Sequence, residues 1–406
     1  MVEVRFKDVL AARERFDDES VVRETPLESN RSLSGMADAT VFLKMEHLQR
    51  TGSFKTRGAY NKLVQVAEEG TIDRVVAASA GNHAQGVALA ATKTGLESTI
   101  VMPKNAPQAK VNATRSYGGD VELHGNDFQA AMAHAKTLTE AENVGFVHAY
   151  DDPDIVAGQG TLGLEIHEAL PEVDTVIVPI GGGGMIGGIA TALAGLDPGI
   201  RVVGVQADSA ATVPESLDKG FPQGIDDPTT IADGIATGGI SELTFEIIRE
   251  HVDEVVTVTD DQIAQSTLVL LERAKQLVEG AGAASVAALL SPDLDVSGET
   301  VVPVLGGGNI DISMLQTVLE HALTDRDQLL RLRVRIADQP GKMEEVSGVI
   351  SDLGANIRTV RHDRAIGDLR VGEAYLVFQV VTSGREHARE VLDAIESRGY
   401  DATRVD

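Results

Sequence analysis

The sequence predicts an α/β protein of two lobes, followed by a smaller C-terminal α+β domain. Through most of the chain, short β-rich apolar runs alternate with alanine-rich helical patterns, which is typical of stacked βαβ units. From about residue 327 the order of elements changes to βαββαβ. We therefore expect a larger domain at residues 1–325 and a separate module at residues 327–406.

The larger domain is expected to contain a small lobe of about residues 41–148. A strand, a helix, a strand and a helix are predicted there, at Arg74–Ala78, Gly86–Thr94, Ser98–Met102 and Ala106–Tyr117. The same alternation returns in the second lobe, where strands are predicted at Thr175–Ile180, Val202–Gln206 and Val301–Leu305. Both lobes belong to one domain.

The C-terminal module begins with alternating residues at Arg331–Ile336, which predict a strand with one buried face. The turn residues Asp338–Gly341 follow it. A helix, two strands and a second helix are predicted before a short last strand, at Met343–Leu353, Asn356–His362, Glu373–Val381 and Arg385–Arg398.

The composition restricts the class of protein. The 406 residues include no cysteine, which excludes disulfides and thiolate metal sites. A formal net charge of −27 disfavours nucleic acid and anionic membranes as partners, because like charges repel. The N-terminal segment lacks a signal-peptide pattern, and no run is long and apolar enough to cross a bilayer. We expect a cytoplasmic protein that binds neither nucleic acid nor membrane.

The large acidic excess also has a bearing on the cellular environment. Lysine and arginine total 35 residues against 62 aspartates and glutamates. In a cytoplasm with high salt, repulsion among so many carboxylates is screened. The composition therefore indicates a halophilic protein, with an ordinary acidic enzyme as the alternative.

Lys55 is the strongest candidate for a catalytic residue. It follows Thr51–Phe54 and precedes a segment predicted as helix. A lysine amine attacks a carbonyl only when it is neutral, which requires desolvation or neighbouring positive charge. Phe54, Lys44 and Arg57 are able to supply both. The sequence therefore predicts a Schiff-base lysine at this position, with an ordinary surface lysine as the alternative.

A glycine-rich run, Gly181–Gly188, lies between a predicted strand and a predicted helix, where backbone N–H groups bind anions. Gly182, Gly184 and Gly187 also match the dinucleotide fingerprint, and Asp208 follows at about the expected distance. The additional glycines and the position in mid-chain favour a phosphate monoester instead. No Lys-Ser/Thr pair follows as in a P-loop. An NAD-dependent dehydrogenase is the alternative.

A third segment, Ser79–Gly86, follows a predicted strand and opens a helix. Its N-terminal N–H groups and the Asn82 amide are suited to bind a carboxylate. Ordinary helix capping by Ser79 or Asn82 is the alternative. His83, taken by itself, is expected to be structural rather than catalytic.

Together these segments resemble the fold type II pyridoxal-phosphate enzymes, the tryptophan-synthase-β type, and among them the threonine ammonia-lyases, or threonine dehydratases. The resemblance covers nearly the whole chain and implies a two-lobed fold type II catalytic domain. The segments that carry it are Thr25–Leu27, Gly52–Ala59, Ser79–Gly86, Ala157–Thr161, Gly181–Gly184, Glu279–Ala283 and Gly307–Asn309.

The resemblance implies pyridoxal 5'-phosphate as the cofactor and assigns roles to the matching residues. Lys55 would bind the cofactor covalently, Phe54 would pack near it, and Asn82 would face its 3′-oxygen. The cofactor phosphate would bind at Gly181, Gly182, Gly183, Gly184 and Met185. The substrate carboxylate would bind at Ser79, Gly81, Asn82 and His83.

Three positions depart from the family pattern. Gly306 stands at the cofactor-binding position where a hydroxyl residue commonly meets the pyridine nitrogen, and it offers no side-chain partner. Ala80 stands where related serine racemases have a second acid/base serine, which favours elimination over racemisation. Gln206 ends the strand where some relatives have a metal-binding glutamate, so we expect no metal.

The C-terminal module resembles an ACT domain, a βαββαβ unit that binds amino acids as effectors. By this resemblance Asp338, Gly341 and Asn356 are the expected effector-binding residues. ACT modules usually pair, so the resemblance implies a homo-oligomer, either a dimer or a tetramer. A dimerisation module that binds no ligand is the alternative.

The activity implied is deamination of L-threonine to 2-oxobutanoate and ammonia, and of L-serine to pyruvate, with Lys55 as general base. The implied role is the first step of isoleucine biosynthesis, controlled by isoleucine or another branched-chain amino acid. The alternatives are a serine or hydroxyaspartate dehydratase or racemase of the same family, a nicotinamide-dependent dehydrogenase, and a non-catalytic amino-acid sensor.

Overall fold

The computed structural model describes residues 3–16, 18–364 and 367–405. The chain forms two compact units, Met1–Asp311 and Ile312–Asp406. Met1 and Asp406, the outer ends of the two predicted domains, lie outside the described residues. Among the described residues we find no helix with both the length and the hydropathy that a membrane span needs.

The first unit alternates strands and helices. Its helices are α1 (Phe6–Glu14), α2 (Arg31–Ala37), α3 (Lys55–Glu69), α4 (Asn82–Thr94), α5 (Gln108–Ser116), α6 (Phe128–Leu138), α7 (Pro153–Ala169), α8 (Gly184–Leu196), α9 (Val213–Lys219), α10 (Glu242–His251), α11 (Asp260–Val269) and α12 (Gly280–Leu289). Its strands are β1 (Leu27–Ser29), β2 (Thr40–Lys44), β3 (Arg74–Ala78), β4 (Glu97–Met102), β5 (Asp120–Leu123), β6 (Val144–Phe146), β7 (Thr175–Pro179), β8 (Arg201–Ala207), β9 (Glu254–Val258) and β10 (Thr300–Pro303).

These strands form two sheets. The small sheet has the order β5-β4-β3-β6 and is parallel throughout. The large sheet has the order β1-β2-β10-β7-β8-β9 and is parallel except where β1 meets β2. Parallel strands covered by helices on both faces need continuous apolar runs, and β7 is buried at every position. The predicted two-lobed α/β fold is confirmed.

Two predicted boundaries in the first unit differ from the structure by more than one or two residues. Strand β2, at the expected start of the small lobe, pairs with β1 and β10 and therefore belongs to the large sheet. Helix α4 begins at Asn82 rather than at Gly86. Glycine and asparagine at a helix start look like turn residues in a sequence, because both also favour turns.

A cluster of four buried charges lies directly behind the start of α3. The Arg57 guanidinium donates to Glu46 at 2.8 Å and to Glu165 at 2.9 Å, and the Lys44 amine donates to Glu165 at 2.6 Å. All four side chains are at most 2% exposed. Two cations and two carboxylates balance, which is the condition for burying charge without a large penalty. This four-charge cluster connects α3 to β2 and α7.

We expect Glu165→Gln to lower the free energy of unfolding of the first unit by about 3–5 kcal/mol, because it leaves Lys44 and Arg57 with a single carboxylate in the interior. Although burial opposes it, Arg57 and Lys44 hold the pKa of Glu165 below its usual value. Urea unfolding followed by circular dichroism would measure the change. Glu168→Gln removes a carboxylate of the same helix that is 60% exposed, and it should have little effect. Equal stability of the two variants would contradict this account.

The second unit has the order predicted for the C-terminal module, preceded by one helix. Its helices are α13 (Ile312–Asp325), α14 (Lys342–Asp352) and α15 (Arg385–Ser397). Its strands are β11 (Leu329–Ala337), β12 (Asn356–Asp363), β13 (Glu373–Val381) and β14 (Asp401–Arg404). They form an antiparallel sheet of order β12-β13-β11-β14. The units divide before α13 rather than after it, because α13 contacts β11.

Candidate active site

A cavity of about 390 Å³ lies in the first unit, at the carboxyl ends of strands from both sheets. Phe54 and Lys55 line it at the start of α3, and Ser79–His83 line it after β3. Gly181–Met185 line it after β7, and Gly306 lines it after β10. Ligands of parallel α/β folds bind at this end of the strands. The structure therefore brings together every residue predicted to bind cofactor or substrate.

The Lys55 amine projects into the cavity and is otherwise enclosed by protein. Its Nζ donates to the Ala149 carbonyl at 3.0 Å and lies 5.0 Å from the centre of the Phe54 ring. Desolvation disfavours the ammonium form and lowers the pKa of Lys55 to about 8, although the nearby Glu279 carboxylate acts in the opposite direction. A neutral amine is thus available near neutral pH.

The cause of this pKa shift differs in part from the sequence interpretation. Phe54 does contribute to the enclosure, as expected. Lys44 and Arg57, however, are paired with Glu46 and Glu165 in the four-charge cluster, so their positive charges are balanced. Desolvation, rather than neighbouring cations, lowers the pKa of the lysine.

The turn before α8 is shaped to bind an anion. Gly183 has φ +88°, a left-handed conformation that side chains rarely adopt. At Gly182 a Cβ atom would lie 2.2 Å from the Tyr150 ring, so only glycine permits this close packing. The first N–H groups of α8 have no intrahelical acceptors, and the helix dipole adds partial positive charge there. A phosphate ester matches this set of donors.

The loop between β3 and α4 presents backbone groups and one neutral histidine to the cavity. Ser79 Oγ accepts a hydrogen bond from the Gly81 N–H at 3.1 Å, which closes the turn. His83 is buried, and its Nε2 is hydrogen-bonded to the Val147 carbonyl at 3.0 Å. Burial, assisted by the Lys55 charge, lowers the pKa of His83 to about 3. The imidazole is therefore uncharged and held in place.

Two polar side chains that the sequence did not assign to the site, Glu279 and Asn309, are joined to Asn82 beside Lys55. The Asn82 amide donates to Glu279 at 2.7 Å and accepts from Asn309 at 2.7 Å. Burial, together with the charge of Asp233, raises the pKa of Glu279 to about 7. Glu279 and Asn309 fall within segments that carried the family resemblance, which was the only signal for them. The cavity thus contains a carboxyl group and an amine that both titrate near neutral pH.

Gly306 and Gln206, two of the positions that depart from the family pattern, lie in different surroundings. Gly306 lines the cavity, and a Cβ atom there would lie 3.2 Å from the end of the flexible Met185 side chain. Gln206 is buried, and its side-chain oxygen accepts from the backbone N–H groups of Thr212 and Val213 at 3.1 and 2.9 Å. Asp208, the residue required by the dinucleotide alternative, is exposed and is not among the residues that line the cavity.

The three expected effector-binding residues do not lie together within one chain. Asp338 follows β11 and pairs with Arg364 at 2.7 Å, and Gly341 precedes α14. Asn356 is the first residue of β12 and lies level with the beginning of β11, because both strands pair there with the end of β13. Helix α14 runs from the end of β11 back to the end of the sheet where β11 begins, and β12 starts there. The length of β12, about 23 Å at 3.3 Å per residue, separates Asn356 from the other two.

An enzyme whose lysine forms a Schiff base with a carbonyl group needs a neutral amine and groups that bind the anionic parts of its ligands. The cavity has a desolvated amine, a glycine turn suited to an anion and a second set of backbone N–H donors. These parts fit pyridoxal phosphate. Lys55 would bind its aldehyde carbon, Gly181–Met185 would bind its phosphate, and Asn82 would face the 3′-oxygen attached to its ring. The fold and site therefore define a class of enzymes that use a Schiff-base lysine and a phosphorylated cofactor.

Comparison with known proteins identifies the family. The family model described as pyridoxal-phosphate dependent enzyme matches residues 19–307, and the chain belongs to this family. It is 42% identical to the L-threonine ammonia-lyase of Thermotoga maritima over 386 residues, which cover 95% of this chain and 96% of the relative. The predictions of the family and of pyridoxal phosphate as cofactor are confirmed.

Solved structures give the same result for the fold. The tomato (Solanum lycopersicum) threonine deaminase isoform 2 is similar with a TM-score of 0.74 and 36% identity, over 78% of this chain and 93% of that one. Maize serine racemase is similar with a TM-score of 0.74 and 32% identity, over 80% of this chain and all of that one. Both similarities support the fold type II architecture.

We expect the Lys55 amine of the cofactor-free protein to titrate near pH 8, because burial lowers its pKa from 10.5 to about 8. The rate at which trinitrobenzenesulfonate labels the Lys55 peptide should rise with pH to a midpoint there, since only the neutral amine reacts. Glu279→Gln should move the midpoint lower, because it removes the carboxylate that favours the ammonium form.

Lys62, on the same helix, serves as an internal control. Burial lowers its pKa, but hydrogen bonding to Asp154 and the Asp152 charge outweigh that effect and raise the pKa above its ordinary value of 10.5. The two lysines should therefore titrate far apart. A Lys55 midpoint close to 10.5 would contradict the desolvated environment of the cavity.

Proposed function

We propose that this chain is an ammonia-lyase that converts L-threonine to 2-oxobutanoate and ammonia, and L-serine to pyruvate. The observation that carries the proposal is the Lys55 amine, with its pKa lowered to about 8, in one cavity with the Gly181–Gly184 turn and the Ser79–His83 loop. The Thermotoga maritima relative, named L-threonine ammonia-lyase, supports the choice of substrate.

Each part of the site has a task in this reaction. Pyridoxal phosphate, when bound, supplies an electron-withdrawing ring that acidifies the α-carbon of an attached amino acid. The Gly181–Gly184 turn would hold the phosphate through backbone N–H groups, and the Ser79–His83 loop would hold the substrate carboxylate. Lys55, once free and neutral, would take the α-proton at Nζ. Glu279 also lines the cavity, and with a pKa of about 7 its carboxyl group would gain or lose a proton near neutral pH.

The same site favours a lyase over a racemase. Ala80 lines the cavity between Ser79 and Gly81, and it carries no hydroxyl group. Racemisation needs a donor that returns a proton to the α-carbon on the face opposite Lys55. Elimination needs no such donor, because after the α-proton has gone to Lys55 the C–O bond breaks and the β-hydroxyl takes up a proton and leaves as water. Maize serine racemase is similar to this chain in fold. The absence of a hydroxyl at position 80 is therefore the feature that favours lyase activity over racemase activity.

We expect Lys55→Ala to lower ammonia and 2-oxobutanoate formation from L-threonine by at least about 10²–10⁴-fold, because the general base is lost. The purified variant should also lose its yellow colour, and borohydride should no longer attach the cofactor to this peptide. Lys62→Ala removes a half-buried lysine of the same helix that does not line the cavity, and this variant should retain colour and turnover.

The same assay with L-serine should give pyruvate and no D-serine on a chiral column. Undiminished turnover in Lys55→Ala would refute the proposed lyase mechanism. Binding of NAD with turnover indifferent to this substitution would instead support the dehydrogenase alternative, and ligand binding without ammonia release would support the sensor.

We also propose that the second unit is an ACT-type regulatory domain that responds to isoleucine or another branched-chain amino acid, as suits the first step of isoleucine biosynthesis. Its βαββαβ order supports this proposal. The 386 residues aligned with the Thermotoga maritima relative exceed the length of the first unit, so that similarity extends into the second. A site that uses Asp338, Gly341 and Asn356 together requires two copies of the chain, which supports a homo-oligomer.

Complementation would test the shared effector site. Asp338→Ala and Asn356→Ala should each abolish the effect of isoleucine on turnover, while turnover without isoleucine remains. Mixed oligomers of the two variants, formed by co-expression, should regain part of the response, because some interfaces then contain one intact set of residues. Activity would be measured against isoleucine concentration. Two variants that both keep the full response would contradict the site, and an unresponsive mixture would contradict its sharing between copies.

A further inference from the structure

A second group of chemically active side chains lies at the edge of the small sheet, outside the cavity. It consists of Glu122 on β5, His124 in the following loop and His134 on α6, named here the β5–α6 cluster. His134 Nε2 lies 2.6 Å from a Glu122 carboxylate oxygen, and the His124 and His134 rings stack with centroids 3.9 Å apart and planes 9° apart. One ligand atom from each of the three lies within 4.8 Å of the others.

We propose that the β5–α6 cluster binds one divalent transition-metal ion of the zinc type. Two imidazole nitrogens and one carboxylate oxygen are ligands that Zn²⁺, Co²⁺ and Ni²⁺ accept, and they leave a fourth position for water. Mg²⁺ and Ca²⁺ prefer oxygen ligands, whereas two of the three ligands here are imidazole nitrogens. None of the three residues lines the cavity, so this site is separate from the proposed deamination chemistry.

The geometry needs only small adjustments to accept an ion. Ligand atoms at about 2.0–2.1 Å from a tetrahedral ion lie about 3.3 Å apart, so Glu122 and His134 must separate by less than about 1 Å. The two rings lie in stacked, nearly parallel planes, so the His124 ring must also rotate before both imidazoles can direct a nitrogen at one ion. His124 is exposed and Glu122 is 43% exposed, whereas His134 is 22% exposed and held on α6. His134 is thus the fixed ligand, and the other two are free to turn towards the ion.

Charge also favours occupancy. The chain carries a formal net charge of −27, which raises the local concentration of cations near its surface. General attraction of this kind is non-specific, whereas the β5–α6 cluster offers the directed nitrogen ligands that select a transition metal. The sequence did not single out these residues, because their spacing matches no metal-binding motif.

Isothermal titration of the cofactor-loaded protein with ZnCl₂, in a buffer that does not chelate, would test the site. We expect one ion per chain, and we expect His124→Ala and His134→Gln each to weaken binding at least about tenfold. Titration with Co²⁺ should give visible d–d absorption that both variants lose. His134→Gln retains a donor to Glu122, and His124 is exposed, so neither change should unfold the protein.

His251→Ala, at the end of α10, is the matched control and should bind zinc as the unmodified protein does. Threonine turnover in buffer treated with chelator should be the same for all variants, which shows that the fold is intact. The proposal is overturned if the unmodified protein shows no saturable binding, if both cluster variants bind as tightly as it does, or if the His251 variant loses affinity equally. Because the readout is binding, a failure here is independent of the proposed ammonia-lyase activity.

Discussion

Desolvation of the Lys55 amine is the interaction on which the rest of the site depends. A lysine in water is charged at neutral pH and cannot act as a nucleophile or base. Here the amine faces an enclosed cavity, and its pKa falls to about 8. The cations and carboxylates of the four-charge cluster balance, so the cluster adds little net charge near the amine and desolvation causes the shift. The same cluster secures the start of α3, so the amine has a fixed position.

The cavity gains its chemistry because chain segments distant in sequence end at one place. Strands β3 and β6 of the small sheet and β7 and β10 of the large sheet end at it. One loop contributes backbone donors for a phosphate, another contributes donors for a carboxylate, and α12 contributes Glu279 at its start. The Asn82 side chain joins Glu279 to Asn309 and so connects the small sheet to the large one. In the proposed reaction, substrate orientation and proton transfer would therefore depend on the same polar contacts.

In the second unit, the order of the strands decides which residues one copy of the chain can bring close together. A strand, a crossover helix and a parallel strand bring the chain back to the end of the sheet where it began. Residues that follow β11 and residues that begin β12 are consequently at opposite ends of the sheet. A single copy therefore cannot gather Asp338, Gly341 and Asn356 around one small molecule, and the proposed effector site would need two copies.

The sequence by itself determined the α/β class, the βαββαβ order, and the position of Lys55 and of the glycine-rich turn at helix starts, because each is a local pattern of residues. The boundaries of β13 were also predictable, since its apolar residues run from Ala374 to Phe378 and continue after Gln379. Only the tertiary structure decided the strand orders, the contact of Asn82 with Glu279 across 197 positions, the partners of Arg57 and the proximity of Glu122 to His134. Such contacts arise from the packing of whole helices and sheets, and no short stretch of sequence contains that information.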